Sequence, residues 1–255
     1  MSTKKEKRHK AILEHLTAEP TMRVRALSEA LEVTTETIRR DLDELTELGL
    51  ISRTYGGAML RQPREPALSH RHDEMRAERE AIARAACKRF RGARTLMIGS
   101  GATTIHVAHR IVYDLNNVTV ITHSFGVATA LSFNPTISVV MAPGLYHSGE
   151  GAMHGAQTVR FLSDLSADWA IVGASGLSPD GPSDALIEAA DVYSTMLRQV
   201  ARRMVVADHT KFDRLSTARY ARWSHIDTLV TDKPPVGPLA NALSDGEVEV
   251  LLAKG

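Results

Sequence analysis

The sequence predicts an α/β protein of two modules: an N-terminal winged helix-turn-helix over residues 1–60, a linker at 61–75, and a C-terminal α/β domain with a largely parallel sheet over 76–255. Three observations carry this prediction. Three short amphipathic helical patterns and a β-rich run with a Gly-Gly turn fill the N-terminal stretch, two prolines interrupt the chain after it, and beyond Gly92 short apolar runs alternate with helical patterns. Continuous apolar strands alternating with helices point to a parallel sheet covered on both faces.

The elements follow in order. Ile12, Leu13 and Leu16 within 7–18 recur at helical spacing, and Val24, Leu27 and Leu31 mark a second, shorter helix. Glu32-Val33-Thr34 leads into a third, where the hydroxyl of Thr34 or Thr35 can accept from the open amides of the first turn and Glu36 complements the helix dipole. Ile38, Leu42 and Leu45 then line one face, which must be buried. At about 100° per residue, Glu36, Arg40 and Asp43 lie nearly opposite Ile38 with Arg39 on the flank, so both arginines can meet a phosphate or a base edge. The short connection is that of a helix-turn-helix whose second helix enters a major groove. Gly49 is a suitable C-cap, Leu50 to Tyr55 alternates polar and apolar residues, and Gly56-Gly57 supplies a turn, which together predict a β-wing laying Arg53 and Tyr55 on the DNA backbone. Thr34, Thr35, Thr37, Arg39, Arg40, Arg53 and Tyr55 are therefore the candidate DNA contacts, with double-stranded DNA as the partner.

At 255 residues and 43% hydrophobic content the chain can bury one small and one full-sized core. A net charge of +1 announces no nucleic acid globally, but Lys4, Lys5, Lys7, Arg8 and Lys10 cluster at the start, either as a solvated tail or as phosphate contacts. The single Cys87 excludes an intrachain disulfide, and no apolar run reaches the length of a membrane span or a signal-peptide core, so a cytoplasmic protein without membrane contact is expected.

Pro63 and Pro66 break regular structure in the linker. Over 71–90, Met75, Ile82, Ala86 and Phe90 fall at helical spacing among charges that read as a solvated face. Strands are predicted at 95–98, 118–121, 137–141, 169–172, 204–207, 228–230 and 248–252, and helices at 103–111, 127–133, 157–165, 186–200 and 239–243. Ligands of such sheets bind beyond the carboxyl ends of the strands. There Gly99-Ser100-Gly101-Ala102-Thr103-Thr104 forms a loop of small residues leading into a helix, suited to an oxyanion. Ser124, Gly173, Ser175, Asp208 and Lys211 occupy comparable strand ends, where Lys211 can neutralise a phosphate and Asp208 accept from a sugar hydroxyl.

Thr37-Ile38-Arg39-Arg40-Asp41-Leu42, followed by Leu45, Gly49, Ile51, Arg53 and Tyr55-Gly56-Gly57-Ala58, resembles the DNA-binding module of the DeoR-type bacterial transcriptional repressors. From Glu78 to Asp232 the chain is similar to the effector domain of the same family, through Ser100 to Thr104, Gly144, Gly155, Gly173-Ala174, Gly176, Glu188, Met196 and Asp208 to Phe212. The resemblance implies a repressor of a carbohydrate catabolic operon, acting on operator DNA as a homo-oligomer, dimer or tetramer. It further implies a sugar-derived and often phosphorylated effector, bound by a domain of isomerase-like fold with Gly144 at the ligand pocket. No cofactor is expected. Thr34 stands where the family has serine, Ala102 for threonine, His123 for asparagine, Ser175 for aspartate, Tyr193 for lysine and Pro143-Gly144 for a glycine pair, with Tyr146 and His147 near a missing basic residue. Two other functions compete. An isomerase-like enzyme would use Asp208, Lys211 or Glu188 as acid or base. A metal-responsive regulator would use His106 and His109, one helical turn apart, or His147 and His154.

Overall fold

A computed structural model describes residues 4–18, 21–47, 51–54, 56–60, 68 and 74–253. The chain divides into two compact units, Met1–Arg64 and Glu65–Gly255.

The first unit runs α1 (Lys4–Ala18), β1 (Thr21–Arg23), α2 (Val24–Ala30), α3 (Thr35–Glu47), β2 (Ile51–Thr54) and β3 (Gly57–Leu60). Ile12, Leu16, Val24, Leu27, Ile38, Leu42, Leu45, Ile51 and Ala58 form its core, so the helical faces read from periodicity are the packed faces. The wing pairs antiparallel through Ile51↔Leu60 to Thr54↔Gly57, and β1 adds a third strand on its other edge. Three residues are too few for a periodic signal, so β1 was not legible. Gly57 permits the approach, because a Cβ there would overlap the backbone of Met22 and Arg23.

The basic start of the chain is neither a tail nor simply a phosphate surface. It is the first turn of α1, and Arg8 donates from Nε and Nη2 to the two carboxylate oxygens of Asp41 at 2.5 and 2.8 Å. His9 Nε2 lies 3.2 Å from the same carboxylate, and Lys5 pairs with Glu44 at 2.6 Å. Asp41 thus fastens α1 to α3. Burial raises its pKa, but Arg8 and then His9 outweigh that and hold it below the ordinary aspartate value.

The second unit runs α4 (Arg76–Cys87), β4 (Thr95–Ile98), α5 (Ala102–Asp114), β5 (Thr119–Thr122), α6 (Phe125–Leu131), β6 (Ser138–Met141), β7 (Leu145–His147), β8 (Ala152–His154), α7 (Ala156–Ser163), β9 (Ala167–Val172), β10 (Gly176–Ser178), β11 (Gly181–Asp184), α8 (Ile187–Arg198), β12 (Val200–Val206), β13 (Ala218–Arg219), β14 (Thr228–Thr231), α9 (Gly237–Asp245) and β15 (Glu249–Leu252). Seven strands form one sheet in the order β15-β14-β12-β9-β4-β5-β6, every neighbouring pair parallel. These are the seven predicted strands. Alternate residues feed opposite layers: Leu96 and Ile98 pack with α4, α5 and α6, whereas Met97 packs with α8 and α9.

The structure adds two small antiparallel assemblies, the β7–β8 hairpin and the β10-β11-β13 sheet. Their strands are two to four residues long and include Gly-Pro-Ser-Asp, which has no apolar alternation to read. The predicted helix at 186–200 stops at Arg198, since Val200 opens β12. Within 71–90, α4 spans Arg76–Cys87, and Phe90 lies beyond it with its ring edge-to-face on Trp169 at 5.5 Å.

Candidate DNA-reading helix and effector cleft

On the first unit, Arg39 and Arg40 project from the face of α3 opposite its packed stripe, with side chains 58% and 77% exposed. Each is held only loosely by Glu36, at 3.7 and 3.5 Å. Thr34 accepts the Thr37 amide at 3.2 Å and its hydroxyl meets that of Thr37 at 2.8 Å, so Thr34 caps the helix while Thr35 stays exposed at its start. Arg53 stands on β2, 3.7 Å from Asp43 on α3, so an ion pair links helix and wing. Tyr55 and Gly49 lie outside the described residues.

On the second unit, the chain leaves β4 outward to β5 and β6, then returns to lay β9 against the other side of β4. The carboxyl ends of β4 and β9 therefore straddle a topological switch point, the crevice where open α/β sheets bind ligands. A small cleft opens there, lined by Ser100, Gly101, Ala102, Thr103, Gly173, Ser175 and Lys211 among the predicted residues. Arg79, Glu150, Ala174, Asp184 and Tyr193 complete the wall.

The β4 loop is built for this position. Gly101 precedes α5 at φ 132°, in the region that favours glycine, and the first-turn amides of α5 point their partial positive charge at the cleft. The Ser100 amide is not part of that cradle, because it donates to His123 Nε2 at 3.1 Å. His123 Nδ1 donates to the Met153 carbonyl at 2.7 Å, which fixes a neutral ring. Burial, and then the neighbouring His154, push the His123 pKa down to about 3. Tyr193 donates its hydroxyl to the Ser100 carbonyl at 2.8 Å and meets Ser100 Oγ at 2.9 Å. His123 and Tyr193 thus hold the loop from below. Gly101→Ala is expected to cost about 1–3 kcal/mol through the forced left-handed backbone, and to weaken ligand binding at the cleft; a melt and a calorimetric titration check the two effects.

Four predicted effector residues lie off the cleft lining and serve other purposes. Thr104 is fully buried and donates to the Gly101 carbonyl at 2.9 Å. Ser124 caps α6 by accepting the Val127 amide at 3.4 Å. Gly144 makes room for its neighbours, since a Cβ there would overlap Thr158 and the His154 carbonyl. Asp208 is fully buried: its Oδ2 accepts from Arg79 Nε and Nη2 at 3.4 and 3.3 Å, and its Oδ1 from the Thr210 amide at 3.1 Å and from the Thr210 hydroxyl.

Arg79 is the residue that sequence reasoning most clearly missed. The charges of the predicted helix were read as a solvated face, yet Arg79 is 3% exposed and shares the buried side of α4 with Ile82, Ala83 and Ala86. An arginine at i−3 to a core isoleucine was the available signal. Asp184 left no comparable one; its Oδ2 accepts from Ser175 Oγ at 3.4 Å and its Oδ1 from the Leu186 amide at 3.0 Å.

The histidines fall into separate sets, with His154 between His123 and His147 in one of them. His106 and His109 border a separate, open groove with Arg76, Arg84, Arg110 and Tyr113, while His147 and His154 stack edge-to-face at 5.9 Å. Among the described residues no group of three or more His, Cys, Asp or Glu side chains is arranged to hold a metal.

Two family descriptions match this architecture: the DeoR-like helix-turn-helix domain over residues 8–64, and the DeoR C terminal sensor domain over residues 74–233. The chain belongs to the DeoR family. This DeoR-family chain is 31% identical over 250 residues to the HTH-type transcriptional repressor CsqR of Escherichia coli (strain K12), covering 96% of this chain and 94% of the relative. It is 30% identical over 256 residues to the glycerol-3-phosphate regulon repressor of the same organism, covering 98% and 99%. The lactose phosphotransferase system repressor of Lactococcus lactis is 28% identical to it, over 89% of this chain and 91% of that one. Solved structures overlap less: ribose 5-phosphate isomerase A of Methanocaldococcus jannaschii is 16% identical at a TM-score of 0.36, over 54% of this chain and 55% of that one, too slight a likeness to argue from. As a member of this family the chain is a DNA-binding transcriptional regulator, whose helix-turn-helix domain contains α3 and the wing strands and whose sensor domain contains the cleft.

Proposed function

We propose that this chain represses a carbohydrate catabolic operon from the cytoplasm, binding its operator as a homo-oligomer and leaving it when a phosphorylated, sugar-derived effector fills the cleft. Residues 1–60 act as the DNA-binding part, 61–75 as the linker and 76–255 as the sensor. The observation that carries this reading is the composition of the cleft wall, where Arg79, Lys211 and the start of α5 converge at the switch point beside the carboxylates Glu150 and Asp184. Cations and a helix terminus suit a phosphate, and carboxylates suit the hydroxyls of a polyol. The relatives' names, a glycerol-3-phosphate regulon repressor and a lactose phosphotransferase system repressor, point the same way. Binding rather than turnover is favoured because Asp184 and Asp208 are both occupied as hydrogen-bond acceptors, which leaves them poor general bases.

Release from DNA requires that the effector bind the DNA-incompetent arrangement more tightly, and the shift cannot exceed that difference in affinity. Fluorescence anisotropy on duplex DNA from upstream of the gene, with a panel of phosphorylated and free sugars, tests the reading. Tight operator binding weakened by one phosphorylated sugar is expected. No operator preference under any condition overturns it.

A further inference from the structure

We propose that Arg79 both reads the anionic group of the effector and passes its arrival to the segment leading towards the DNA-binding unit. The proposal rests on the reading of the cleft as the effector site.

The guanidinium of Arg79 stands between two demands. It lines the cleft, and it is the cation that balances Asp208, which is fully buried. Both of its bonds to Asp208 go to one oxygen, at 3.3 and 3.4 Å. Charge-assisted pairs of this kind normally close to about 2.7–2.9 Å, so this pair is longer than a fully closed one. Lys211 approaches from the short helical turn that follows Asp208, so an anion between Lys211 and the start of α5 attracts Arg79 directly.

Arg79 also sits where its movement matters. It lies in the first turn of α4, whose preceding residue, Met75, has a left-handed backbone (φ 51°, ψ 35°). Such a conformation is unfavourable in a non-glycine residue and persists only where the surroundings enforce it.

Another charged residue of the wall adjoins Leu68. Glu150 lines the cleft, and the carbonyl of its neighbour Gly149 accepts the Leu68 amide at 2.9 Å. The Leu68 side chain is buried in the core shared by α4, α5 and α6 and lies 3.9 Å from the Cβ position of Gly151. Leu68 is therefore held next to Glu150, and Arg79 is itself a residue of the cleft wall. An anion attracts Arg79 and repels Glu150, the neighbour of the Gly149 that holds Leu68, so occupancy acts at the two points in opposite senses.

The test uses the full chain, with inorganic phosphate, glycerol 3-phosphate, ribose 5-phosphate and fructose 6-phosphate as probes. The ratio of operator Kd with saturating probe to that without it is the coupling factor, expected at about 5–150-fold in the wild type. Arg79→Lys keeps a charge against Asp208 but loses the fork of donors; its coupling factor is expected to fall below about twofold, with probe affinity reduced. Leu68→Ala removes the apolar part of the second contact at a residue that does not line the cleft, and is expected to lower the coupling factor while calorimetric probe affinity stays within about threefold. Melting midpoints above the assay temperature establish that both variants are folded. A probe that releases the wild type and both variants equally overturns the proposal and leaves the effector reading intact. A wild type that binds none of the probes overturns the effector reading and the proposal with it.

Discussion

Replacing Arg39 and Arg40 together with alanine is expected to abolish operator preference while leaving the protein folded. Both side chains lie off the face of α3 that packs through Ile38, Asp41, Leu42 and Leu45, so their removal opens no cavity. Both meet Glu36, at 3.7 and 3.5 Å on an exposed surface, an attraction of about 0–1 kcal/mol that a phosphate or a guanine edge easily displaces. A bidentate base contact is worth about 1–3 kcal/mol, so the double variant loses about 2–6 kcal/mol on the specific site if both arginines read bases. The single variants separate the roles. An arginine on a base weakens the operator alone and relaxes one position; an arginine on phosphate weakens every duplex and lowers the salt slope by about one. Anisotropy titrations over a salt series read both quantities, and unchanged operator affinity in the double variant removes α3 from the interface.

Asp41→Ala is expected to unfold the N-terminal unit and abolish DNA binding without any contact to DNA being removed. The carboxylate is 2% exposed and receives two bonds from Arg8 and one from His9, so its loss leaves the partly buried Arg8 charge without its principal partner. Breaking a buried pair from one side typically costs about 3–5 kcal/mol, a large share of what a small module has. Thermal melts of the full chain should show an early transition that the wild type lacks. A paired replacement, Arg8→Met with Asp41→Leu, should restore much of the loss, since an apolar pair of similar volume carries no desolvation cost. A wild-type melt for Asp41→Ala would disprove the anchoring role. The same ion pair fixes a pH dependence. The folded-state pKa of Asp41 lies below its ordinary value of 3.8, so its stabilisation is complete above that ordinary value and is lost as pH falls through the folded one. Acid should therefore loosen this unit below about pH 4, and Asp41→Asn should flatten that dependence.

The same residues show what a one-dimensional reading captures. Ile38, Leu42 and Leu45 announced the buried side of α3 because helical periodicity is a local property, and the outward direction of Arg39 and Arg40 followed from it. The seven strands of the main sheet were equally visible, because strands covered on both faces are continuous apolar runs. The short strands β1, β7, β8, β10, β11 and β13 were not, since pairing partners rather than composition hold them in place.

Charge was where the local reading stopped. The sequence by itself determined two modules, a capped recognition helix, a parallel sheet and the loops after β4, β9 and β12 as the places to seek a ligand. Only the tertiary structure decided which charges work within the protein and which face outward: Arg8 and Asp41 are 33 residues apart, Arg79 and Asp208 are 129 apart, and both pairs are folded inside. It likewise turned Thr104, Ser124, Gly144 and Asp208 to holding the fold and brought Arg79, Glu150 and Asp184 to the cleft wall. The reason is physical. Apolar periodicity follows from the geometry of one helix or strand, whereas the fate of a buried charge depends on which distant partner the fold sets against it.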